Sequence, residues 1–448
     1  MQVHEFVDPG LGHSSYVIDL GDGTAAVVDP PRFPTEQETL VERNGWELRW
    51  TIDTHSHADY VTGSPGLVAR RSVTFLAPAA SALATAHRAV VDGERVELAA
   101  GVVLTPIATP GHTPDHHAFV LEVGGVPEAV FTGGSLMVGT VGRTDLCGPD
   151  LAVPLAHEMF RSLHRFDILP DAVTVYPTHG AGSFCSAPGA ADRTSTLGRE
   201  RATNPLLTTT DEDAFVARLV DGFGTFPTYF ARLPELNRRG PTRIDTLPAL
   251  PRLDADTVAH HVASGAVVVD ARPFRAFGAG HLPGSLSNTL RPVFGSWLGW
   301  LVPADTPLVF VLDADQDRDE LIRQCLDVGH ENLVGELDGG IDAWDAPGRP
   351  LATIEVVGLD QLDGPVIDVR QSNEYAAGHL PGARNVELGS VAVAPLPTGD
   401  ATTVMCGHGE RAMSAASLLA ARGVTTRVFD GGPDTWTTAT GHALEVGR

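Results

Sequence analysis

Histidines and a carboxylate stand close together early in the chain, at His55, His57 and Asp59. Imidazole nitrogens and carboxylate oxygens are ligands that zinc and iron prefer in proteins. Two further histidines, His112 and His179, each follow another apolar run later in the chain. We therefore predict that these five side chains hold a metal centre. The alternative is a set of polar loops whose histidines only form hydrogen bonds, and the recurrence of histidine after several apolar runs disfavours it.

A cysteine in a different setting, Cys406, follows the apolar run 403–405 and precedes a predicted helix at 412–421. In such a loop, backbone N–H groups and the helix N-terminus point at the sulfur and stabilise a thiolate or a persulfide. Arg411 adds positive charge for an anionic sulfur donor, whereas the carboxylate of Glu410 disfavours anions slightly. We predict sulfur transfer at Cys406, with a structural cysteine as the alternative. The loop residues predicted to bind substrate are Gly407, His408, Gly409 and Glu410.

Predicted strands explain how distant residues reach one site. The apolar run 48–53 predicts a buried strand and 60–71 predicts a helix, so the first two histidines lie on the turn between them. Strands predicted at 102–107 and 172–175 end shortly before the two later histidines. Open α/β sheets place their binding sites at the carboxyl ends of strands. The sequence therefore predicts one metal site assembled from several strand ends.

Length and composition limit the class of protein. The chain has 448 residues, and about 150 residues per domain predict three domains. The apolar fraction of 43% allows sizeable cores, and the sequence contains no run of about 18 apolar residues that could span a membrane. A net charge of −25 argues against a nucleic-acid partner and against an anionic membrane surface. A homo-oligomer is compatible with this composition.

The four cysteines are widely spaced and form no Cys-x-x-Cys pair. A disulfide framework is therefore not expected, and a reducing, cytoplasmic location is predicted. The first residues contain no basic region followed by an apolar core, so no secretory signal is predicted.

The histidine motifs, together with a β-hairpin predicted for residues 14–29, resemble the metallo-β-lactamase superfamily over about the first half of the chain. The resemblance implies an αββα sandwich for residues 1–245. It also implies how the candidate ligands are divided between metal positions. The implied ligands are His55, His57 and His112 for one position, and Asp59 and His179 for a second.

Segments 131–136 and 141–146 are most similar to those of glyoxalase II and, more specifically, of persulfide dioxygenases, which oxidise glutathione persulfide to sulfite with O₂ and one ferrous ion. This resemblance implies one metal ion, with Fe(II) favoured over Zn(II), and a glutathione-like thiol or persulfide substrate. Arg143 is then a candidate to bind a glutathione carboxylate, with a structural salt bridge as the alternative. Cys185, six residues after His179, is a candidate to relay sulfane sulfur, with a buried inert cysteine as the alternative.

Two positions depart from the family pattern, which has Asp where this chain has Gly134 and His where it has Tyr60. The departures disfavour a two-metal hydrolase of the glyoxalase II kind. One metal held by the three histidines of the first position is one alternative. Iron held by His55 and His112, with Asp59 or a water completing the set, is another. Glycine at position 134 is also expected to leave room for a larger ligand.

The second half of the chain repeats itself. Asp270 precedes His281 by 11 residues, and Asp368 precedes His379 by the same number. Each copy has the length of a domain, with alternating predicted strands and helices, and resembles the rhodanese domain. The implied rhodanese domains are residues 254–350 and residues 355–448.

The loop that begins at Cys406 resembles the rhodanese active-site loop, Cys-x-x-Gly-x-Arg. When Arg318 of the first copy is aligned with Arg411, Asp313 stands where the cysteine stands in the second copy. A carboxylate cannot carry a persulfide sulfur. We therefore predict that residues 254–350 are an inactive rhodanese domain that spaces or docks the other domains.

The predicted fold class is α/β and α+β multidomain, with an αββα metallo-β-lactamase sandwich followed by two α/β rhodanese domains. This order resembles bacterial persulfide dioxygenase–rhodanese fusions. It implies a sulfur-metabolism enzyme whose metal domain and Cys406 sulfurtransferase act on low-molecular-weight persulfides, since tethering raises the effective concentration of a shared intermediate. The alternative is a sulfurtransferase alone, with the first domain a zinc thioester hydrolase or a thiol-binding platform.

Overall fold

The computed structural model describes residues 1–185, 192–345, 349–395 and 402–447. The chain divides into two compact units, one of residues 1–247 with 326–329 and one of the remaining residues from 248 onward. Apart from residues 326–329, both predicted rhodanese domains fall in the second unit, so the division into three domains stays a prediction. Among the residues just given, no helix combines the length and the apolar character needed to cross a membrane.

The first unit contains two six-stranded sheets, with orders β1-β2-β3-β4-β5-β6 and β14-β13-β10-β9-β8-β7. Its strands are β1 Gln2–Val7, β2 Ser14–Asp19, β3 Thr24–Val28, β4 Glu47–Ile52, β5 Thr74–Pro78, β6 Arg88–Val90, β7 Val96–Ala99, β8 Val102–Ala108, β9 His117–Val123, β10 Val126–Gly133, β11 Leu136–Met137, β12 Thr140–Val141, β13 Thr174–Pro177 and β14 Ser195–Thr196. Its helices are α1 Thr35–Arg43, α2 Ser64–Arg70, α3 Pro149–His164, α4 Leu197–Thr203, α5 Glu212–Asp221 and α6 Leu233–Arg239.

The two sheets pack face to face, with helices on their outer faces. Successive residues of a strand point to opposite faces, so Tyr16 of β2 packs in the core between the sheets with Phe119 of β9. Its neighbour Val17 lies on the other face with Val41 of α1 and Leu67 of α2. Helices α3 and α5 pack in the same way against the second sheet. The predicted αββα sandwich is confirmed, and β2 and β3 form the predicted antiparallel hairpin.

The helix predicted at 60–71 begins later than expected, at Ser64. Pro65 stands in its first turn, where a missing N–H costs nothing. The amide of Thr62 instead donates to Asn237 Oδ1 at 3.0 Å, and the amide of Gly63 donates to a loop carbonyl at 3.0 Å. The prediction was wrong for these first residues because their amides bond outside the helix, which the apolar spacing does not reveal.

The second unit contains two five-stranded parallel sheets with orders β15-β19-β18-β16-β17 and β20-β24-β23-β21-β22. The strands are β15 Arg252–Leu253, β16 Val267–Asp270, β17 Leu286–Ser287, β18 Leu308–Val311, β19 Leu333–Leu337, β20 Glu355–Val357, β21 Val366–Asp368, β22 Arg384–Asn385, β23 Thr402–Met405 and β24 Thr426–Phe429. The helices are α7 Ala255–Ala263, α8 Phe274–Ala279, α9 Phe294–Leu301, α10 Arg318–Asp327, α11 Ile341–Trp344, α12 Ser372–Ala377, α13 Glu410–Ala421 and α14 Pro433–Thr440. Corresponding strands occupy the same place in both sheets, so the predicted repeat is confirmed.

The repeated Asp-x-Arg motif has the same structure in both copies. Asp270 accepts hydrogen bonds from Arg272 at 2.9 and 2.6 Å, and the arginine also donates to a helix-terminal carbonyl at 2.8 Å. Asp368 and Arg370 form the same set at 3.0, 2.6 and 2.8 Å. A buried ion pair needs such additional hydrogen bonds to offset its desolvation. The motif therefore stabilises the fold of each copy and is not part of a catalytic site.

Candidate functional site

The candidate metal ligands meet where several strands of the first unit end. His55 and His57 follow β4, His112 follows β8 and His179 follows β13. Donor atoms of His55, His57 and His179 all lie within 4.8 Å of one another, as do those of His112, His179 and Cys185. All five side chains are buried. The strand ends thus bring together the histidines that the sequence predicts to act together.

The ring of His57 is held by two neighbours. Its Nε2 lies 3.1 Å from Asp29 Oδ1 and 3.0 Å from the hydroxyl of Tyr60, while its Nδ1 has no hydrogen-bond partner among the described residues. A histidine that binds a metal usually has its second nitrogen held in this way. Tyr60, which replaces the family histidine, therefore supports a candidate ligand. Sequence reasoning missed Asp29, although its place at the end of β3, beside β4, could have indicated it.

His55 and His112 are also each oriented by a hydrogen bond to one ring nitrogen. Nδ1 of His55 lies 2.8 Å from Thr54 Oγ1, and Nδ1 of His112 lies 2.8 Å from the carbonyl oxygen of Arg143. Nε2 of His55 then lies 3.4 Å from Nε2 of His179. Burial, with the charge of His179, lowers the pKa of His112 to about 3. This ring is therefore neutral at physiological pH, which is the form that binds a metal.

Asp59 is the carboxylate of the cluster. Its side chain is buried, and neither oxygen has a hydrogen-bond partner among the described residues. Oδ2 lies 3.2 Å from Nδ1 of His179, without the geometry of a hydrogen bond. A buried carboxylate without hydrogen bonds is costly, and a cation beside it removes that cost. The residues present therefore fit a metal ion, and imidazole and carboxylate donors suit zinc or iron.

The side of Gly134 is closed by a histidine ring. A Cβ atom at this position would lie 2.1 Å from Cδ2 and 2.7 Å from Nε2 of His112. The amide of Gly134 donates to Nε2 of His116 at 2.9 Å, which holds the backbone in place. The expectation that glycine leaves room for a larger ligand was therefore wrong. The ring of His112 lies where the family carboxylate would begin.

Arg143 does not point its guanidinium at the cluster. The side chain is buried, donates to both oxygens of Asp145 at 2.7 and 2.8 Å, and also donates to two backbone carbonyls. This is the structural ion pair given above as the alternative, and the geometry does not support binding of a glutathione carboxylate. The carbonyl group of Arg143 orients His112 instead.

Cys185 lies with the histidines, as predicted from its distance to His179 along the chain. Its side chain is completely buried. Burial raises the pKa of this thiol well above its ordinary value. A thiol without a thiolate fraction is a poor nucleophile, so the structure favours the inert alternative over a relay of sulfane sulfur.

The Cys406 loop joins β23 to the N-terminus of α13 in the second unit. The amide of Gly409 donates to Cys406 Sγ at 3.1 Å. Gly409 has a φ of +101°, a conformation that glycine adopts without strain and that turns its N–H toward the sulfur. A Cβ at Gly407 would meet no atom within 4 Å, so space is open at this loop residue, whereas the side chain of Cys406 itself is buried. His408, the remaining substrate-binding candidate between them, is exposed.

Arg411 lies in the first turn of α13 and is paired with Glu374 of α12. The two side chains form a bidentate contact at 2.7 and 2.8 Å. Burial opposes ionisation of Glu374, but the hydrogen bonds and charge of Arg411 outweigh it and hold the pKa of this carboxyl below its ordinary value. The predicted catalytic arginine is thus near the loop, with its fork occupied by a carboxylate. Its neighbour Glu410 is half-buried.

A family model of the metallo-beta-lactamase superfamily matches residues 8–179. The hydroxyacylglutathione hydrolase of Methylobacterium sp. (strain 4-46) is 30% identical over 219 residues, which cover 43% of this chain and 81% of that protein. The chain belongs to the metallo-beta-lactamase superfamily. This superfamily member is also similar to the mitochondrial persulfide dioxygenase ETHE1 of Homo sapiens, at 30% identity over 42% of this chain and 68% of that protein.

A rhodanese-like domain model matches the second half of the chain twice, at residues 254–347 and 357–439. This member of the metallo-beta-lactamase superfamily therefore carries two rhodanese-like domains, which confirms the resemblance stated from the sequence. Among solved structures, a metallo-beta-lactamase from Staphylococcus aureus subsp. aureus COL is similar with a TM-score of 0.67 at 24% identity, covering 75% of this chain and 98% of that chain. That likeness concerns the fold alone.

Proposed function

We propose that this chain is a sulfur-metabolism enzyme in which a persulfide dioxygenase-like metal domain is coupled to a sulfurtransferase at Cys406. The substrate class is low-molecular-weight persulfides of the glutathione kind. The observation that carries the proposal is the contact of the Gly409 amide with Cys406 Sγ, in a chain that also assembles a buried histidine cluster. The similarity to a persulfide dioxygenase and to a glutathione thioester hydrolase supports the substrate class.

Sulfur transfer at Cys406 is a displacement without net oxidation. The thiolate attacks the terminal sulfur of a persulfide, a new S–S bond forms at Cys406, and the S–S bond of the donor breaks. The electron pair leaves with the donor thiolate, which takes up a proton to become the thiol. The Gly409 N–H and the N-terminus of α13 stabilise negative charge on the cysteine sulfur before and after transfer.

The metal domain contributes the oxidation. His55, His57, His112, His179 and Asp59 would hold the ion. A ferrous ion bound there would supply the activation of O₂, the oxidant for conversion of a persulfide sulfur to sulfite. The protein orients the rings through Thr54, Asp29 and the carbonyl of Arg143, and burial keeps the imidazoles away from bulk water.

A sulfurtransferase whose first domain only binds thiols is the second candidate. The observation that favours it is the ring of His112, which lies against Gly134 where the family places its carboxylate. Non-haem Fe(II) oxygenases commonly hold their iron with two histidines and one carboxylate. In this alternative the metal domain is a thiol-binding platform or a zinc thioester hydrolase.

The deciding experiment uses full-length protein purified without oxygen and loaded with Fe(II). Oxygen uptake is measured with glutathione persulfide, and sulfur loading of the Cys406 peptide is measured by mass spectrometry. Replacing both His55 and His112 by Ala is expected to abolish iron binding and oxygen uptake and to leave sulfur loading unchanged. His164→Ala serves as the control because this histidine is exposed and remote from the cluster.

The outcomes separate the two candidates. Oxygen uptake that is lost with His55 and His112 supports the coupled enzyme. Absence of oxygen uptake in iron-loaded protein, with sulfur loading intact, removes the dioxygenase half and leaves the sulfurtransferase. Absence of sulfur loading with any persulfide or thiosulfate donor would overturn the role of Cys406.

A further inference from the structure

The helix that follows Cys406 is packed against the first copy, whose loop has Asp313 in place of the cysteine. The amide of Ser287, in β17 of the first copy, donates to Ser417 Oγ of α13 at 3.1 Å, and both residues are buried. A Cβ at Gly389 of the second copy would lie 2.3 Å from the indole of Trp300, in α9 of the first copy. Both copies belong to one compact unit. The first copy therefore covers one side of the sulfur site.

An aromatic ring of the first copy reaches the loop itself. A Cβ at Gly409 would lie 2.5 Å from Cζ of Phe274, the first residue of α8. Gly409 is the residue whose amide donates to Cys406 Sγ. Phe274 thus packs against the loop at Gly409, the residue that holds the sulfur.

Arg291 stands on the same face, just before α9. Its carbonyl oxygen accepts hydrogen bonds from the amide of Phe294 at 2.9 Å and from Nε2 of Gln324 at 3.1 Å, so its backbone is fixed. The side chain is half-buried. Within the described part of the chain, its guanidinium has no hydrogen bond and no ion pair.

Two contacts bring the segment around Arg291 to the sulfur site, since Ser287 bonds to Ser417 and Phe274 lies against Gly409. From there the charge of Arg291 interacts with Glu410, Arg411 and Cys406, and burial lowers the pKa of its guanidinium without removing the charge at neutral pH. Arg411 is neutralised by its bidentate pair with Glu374. The remaining loop charge is the carboxylate of Glu410, which repels anions. Among the described residues near this site, Arg291 is therefore a cation to which no carboxylate is hydrogen-bonded.

We propose that Arg291, supplied by the copy that has Asp313 in place of the loop cysteine, binds the oxyanion group of the sulfur donor at Cys406. A guanidinium fork matches the oxygens of a sulfonate or a carboxylate. The substrates selected are thus sulfane donors that carry an oxyanion, either thiosulfate or a carboxylate-bearing persulfide such as glutathione persulfide. This inference rests on the proposed sulfurtransferase activity of Cys406 and gives the first copy a part in that reaction.

For thiosulfate the step is balanced without a further reactant. The Cys406 thiolate attacks the sulfane sulfur, the S–S bond of thiosulfate breaks, and its electron pair leaves with sulfite. Arg291 contacts the oxygens of the departing group in both states, so its effect is on binding. Its loss is expected to raise KM and to change kcat little.

The test compares Arg291→Ala, Arg291→Lys and Arg323→Ala in full-length protein. Arg323 lies on α10 of the same copy, 3.9 Å from Glu320, and its removal changes the net charge equally. With thiosulfate as donor and cyanide as acceptor, Arg291→Ala is expected to raise KM about tenfold, as for the loss of a hydrogen bond to a charged group. Arg291→Lys is expected to recover part of this loss, and Arg323→Ala to have no effect.

A second measurement does not require turnover. Alkylation of Cys406 by anionic iodoacetate and by neutral iodoacetamide is followed on the Cys406 peptide. The ratio of the two rates is expected to fall about tenfold in Arg291→Ala, because the arginine attracts only the anionic reagent. The persulfides of glutathione and of cysteamine then show which oxyanion Arg291 binds, because cysteamine lacks a carboxylate. If Arg291→Ala raises KM for glutathione persulfide but not for cysteamine persulfide, the arginine binds a carboxylate. If the variant raises KM for thiosulfate, the arginine binds a sulfonate-type anion.

Equal KM values and equal alkylation ratios in Arg291→Ala and wild type would overturn the inference, while sulfur loading of wild-type Cys406 would still support the proposed function. A KM that rises without any change in the alkylation ratio would also overturn it, because it would indicate a general disturbance of the loop. Absence of sulfur transfer in the wild type would instead refute the proposed function, and the alkylation ratio would still report the anion site.

Discussion

The two rhodanese-like copies share a scaffold and differ at one loop. In the first copy His281 stacks on Phe277 with ring centroids 3.9 Å apart, and in the second His379 stacks on Tyr375 at 3.7 Å. Both histidines follow the end of a helix and bond through Nδ1 to a carbonyl of that helix at 3.0 Å. Sheet order and buried ion pair are also the same. The scaffold therefore does not decide which copy has a sulfur site.

The loops after the equivalent strands β18 and β23 differ in the direction of their hydrogen bonds. In the first copy Arg318 donates to the carbonyl oxygens of Asp313 and Gln316 at 2.7 and 2.6 Å, so carbonyls line the inside of the loop. In the second copy the amide of Gly409 points inward to Cys406 Sγ. An inward N–H stabilises an anionic sulfur, whereas an inward carbonyl repels it. We therefore expect sulfur transfer to depend on the conformation of this loop as well as on the presence of the cysteine.

The largest expected effect comes from Cys406→Ser. Sulfur transfer from thiosulfate to cyanide should fall by at least about a thousandfold, because a hydroxyl cannot form the persulfide. Cys147→Ser is the matched control, since that cysteine is exposed in the first unit. The measurement is thiocyanate formation at saturating thiosulfate. Retention of more than a small part of the activity would mean that another residue carries the sulfur.

The aromatic contacts should differ in their contribution to stability. Phe277 is completely buried, so Phe277→Ala should destabilise the first copy by about 3–5 kcal/mol. Tyr375 is half-buried, and Tyr375→Ala should cost about 1–2 kcal/mol because less apolar area is lost. Hydrogen exchange of β16 and β21 measures each copy separately. Equal losses of protection would contradict the difference in burial.

Removing the carboxylate that pairs with the arginine at the start of α10 or α13 should have a smaller effect, and only the change at α13 should affect sulfur transfer. Glu374→Gln removes the carboxylate from Arg411 and should lower sulfur transfer about tenfold, since a half-buried charge loses its partner beside the loop. The matched change is Glu336→Gln, which acts on Arg318 of the first copy at 3.0 Å. It should leave transfer unchanged. A comparable loss in both variants would show a general effect on stability, which thermal melting would reveal.

The sequence alone predicts those differences between the two copies that depend on residue type. The repeat, the missing cysteine and the helix after Cys406 all follow from patterns along the chain. The four histidines of the metal cluster are likewise brought together, since ends of strands from both sheets of the sandwich meet there. Patterns that recur at strand ends therefore predict both candidate sites.

Sequence reasoning fails where a contact joins residues far apart in the chain. Arg143 is predicted to bind substrate, but besides its near neighbour Asp145 its guanidinium is held by two carbonyls that are distant in the chain. Asp29 orients His57 from another strand, and the anion-binding role proposed for Arg291 depends on packing between the two copies. None of these distant partners follows from local spacing. Side-chain roles of this kind require the tertiary structure.

The smallest expected effect is the most informative about the loops. Asp313→Cys in a Cys406→Ser background places a cysteine at the equivalent position of the first copy, with the same scaffold beneath it. Gln316 and Arg318 still fill that loop, because the amide of residue 313 is bonded to Gln316 Oε1 at 2.9 Å and Arg318 holds its carbonyl. Thiocyanate formation should therefore stay at the level of Cys406→Ser. Recovery of transfer would show that the cysteine alone suffices and that the inward N–H of Gly409 is not needed.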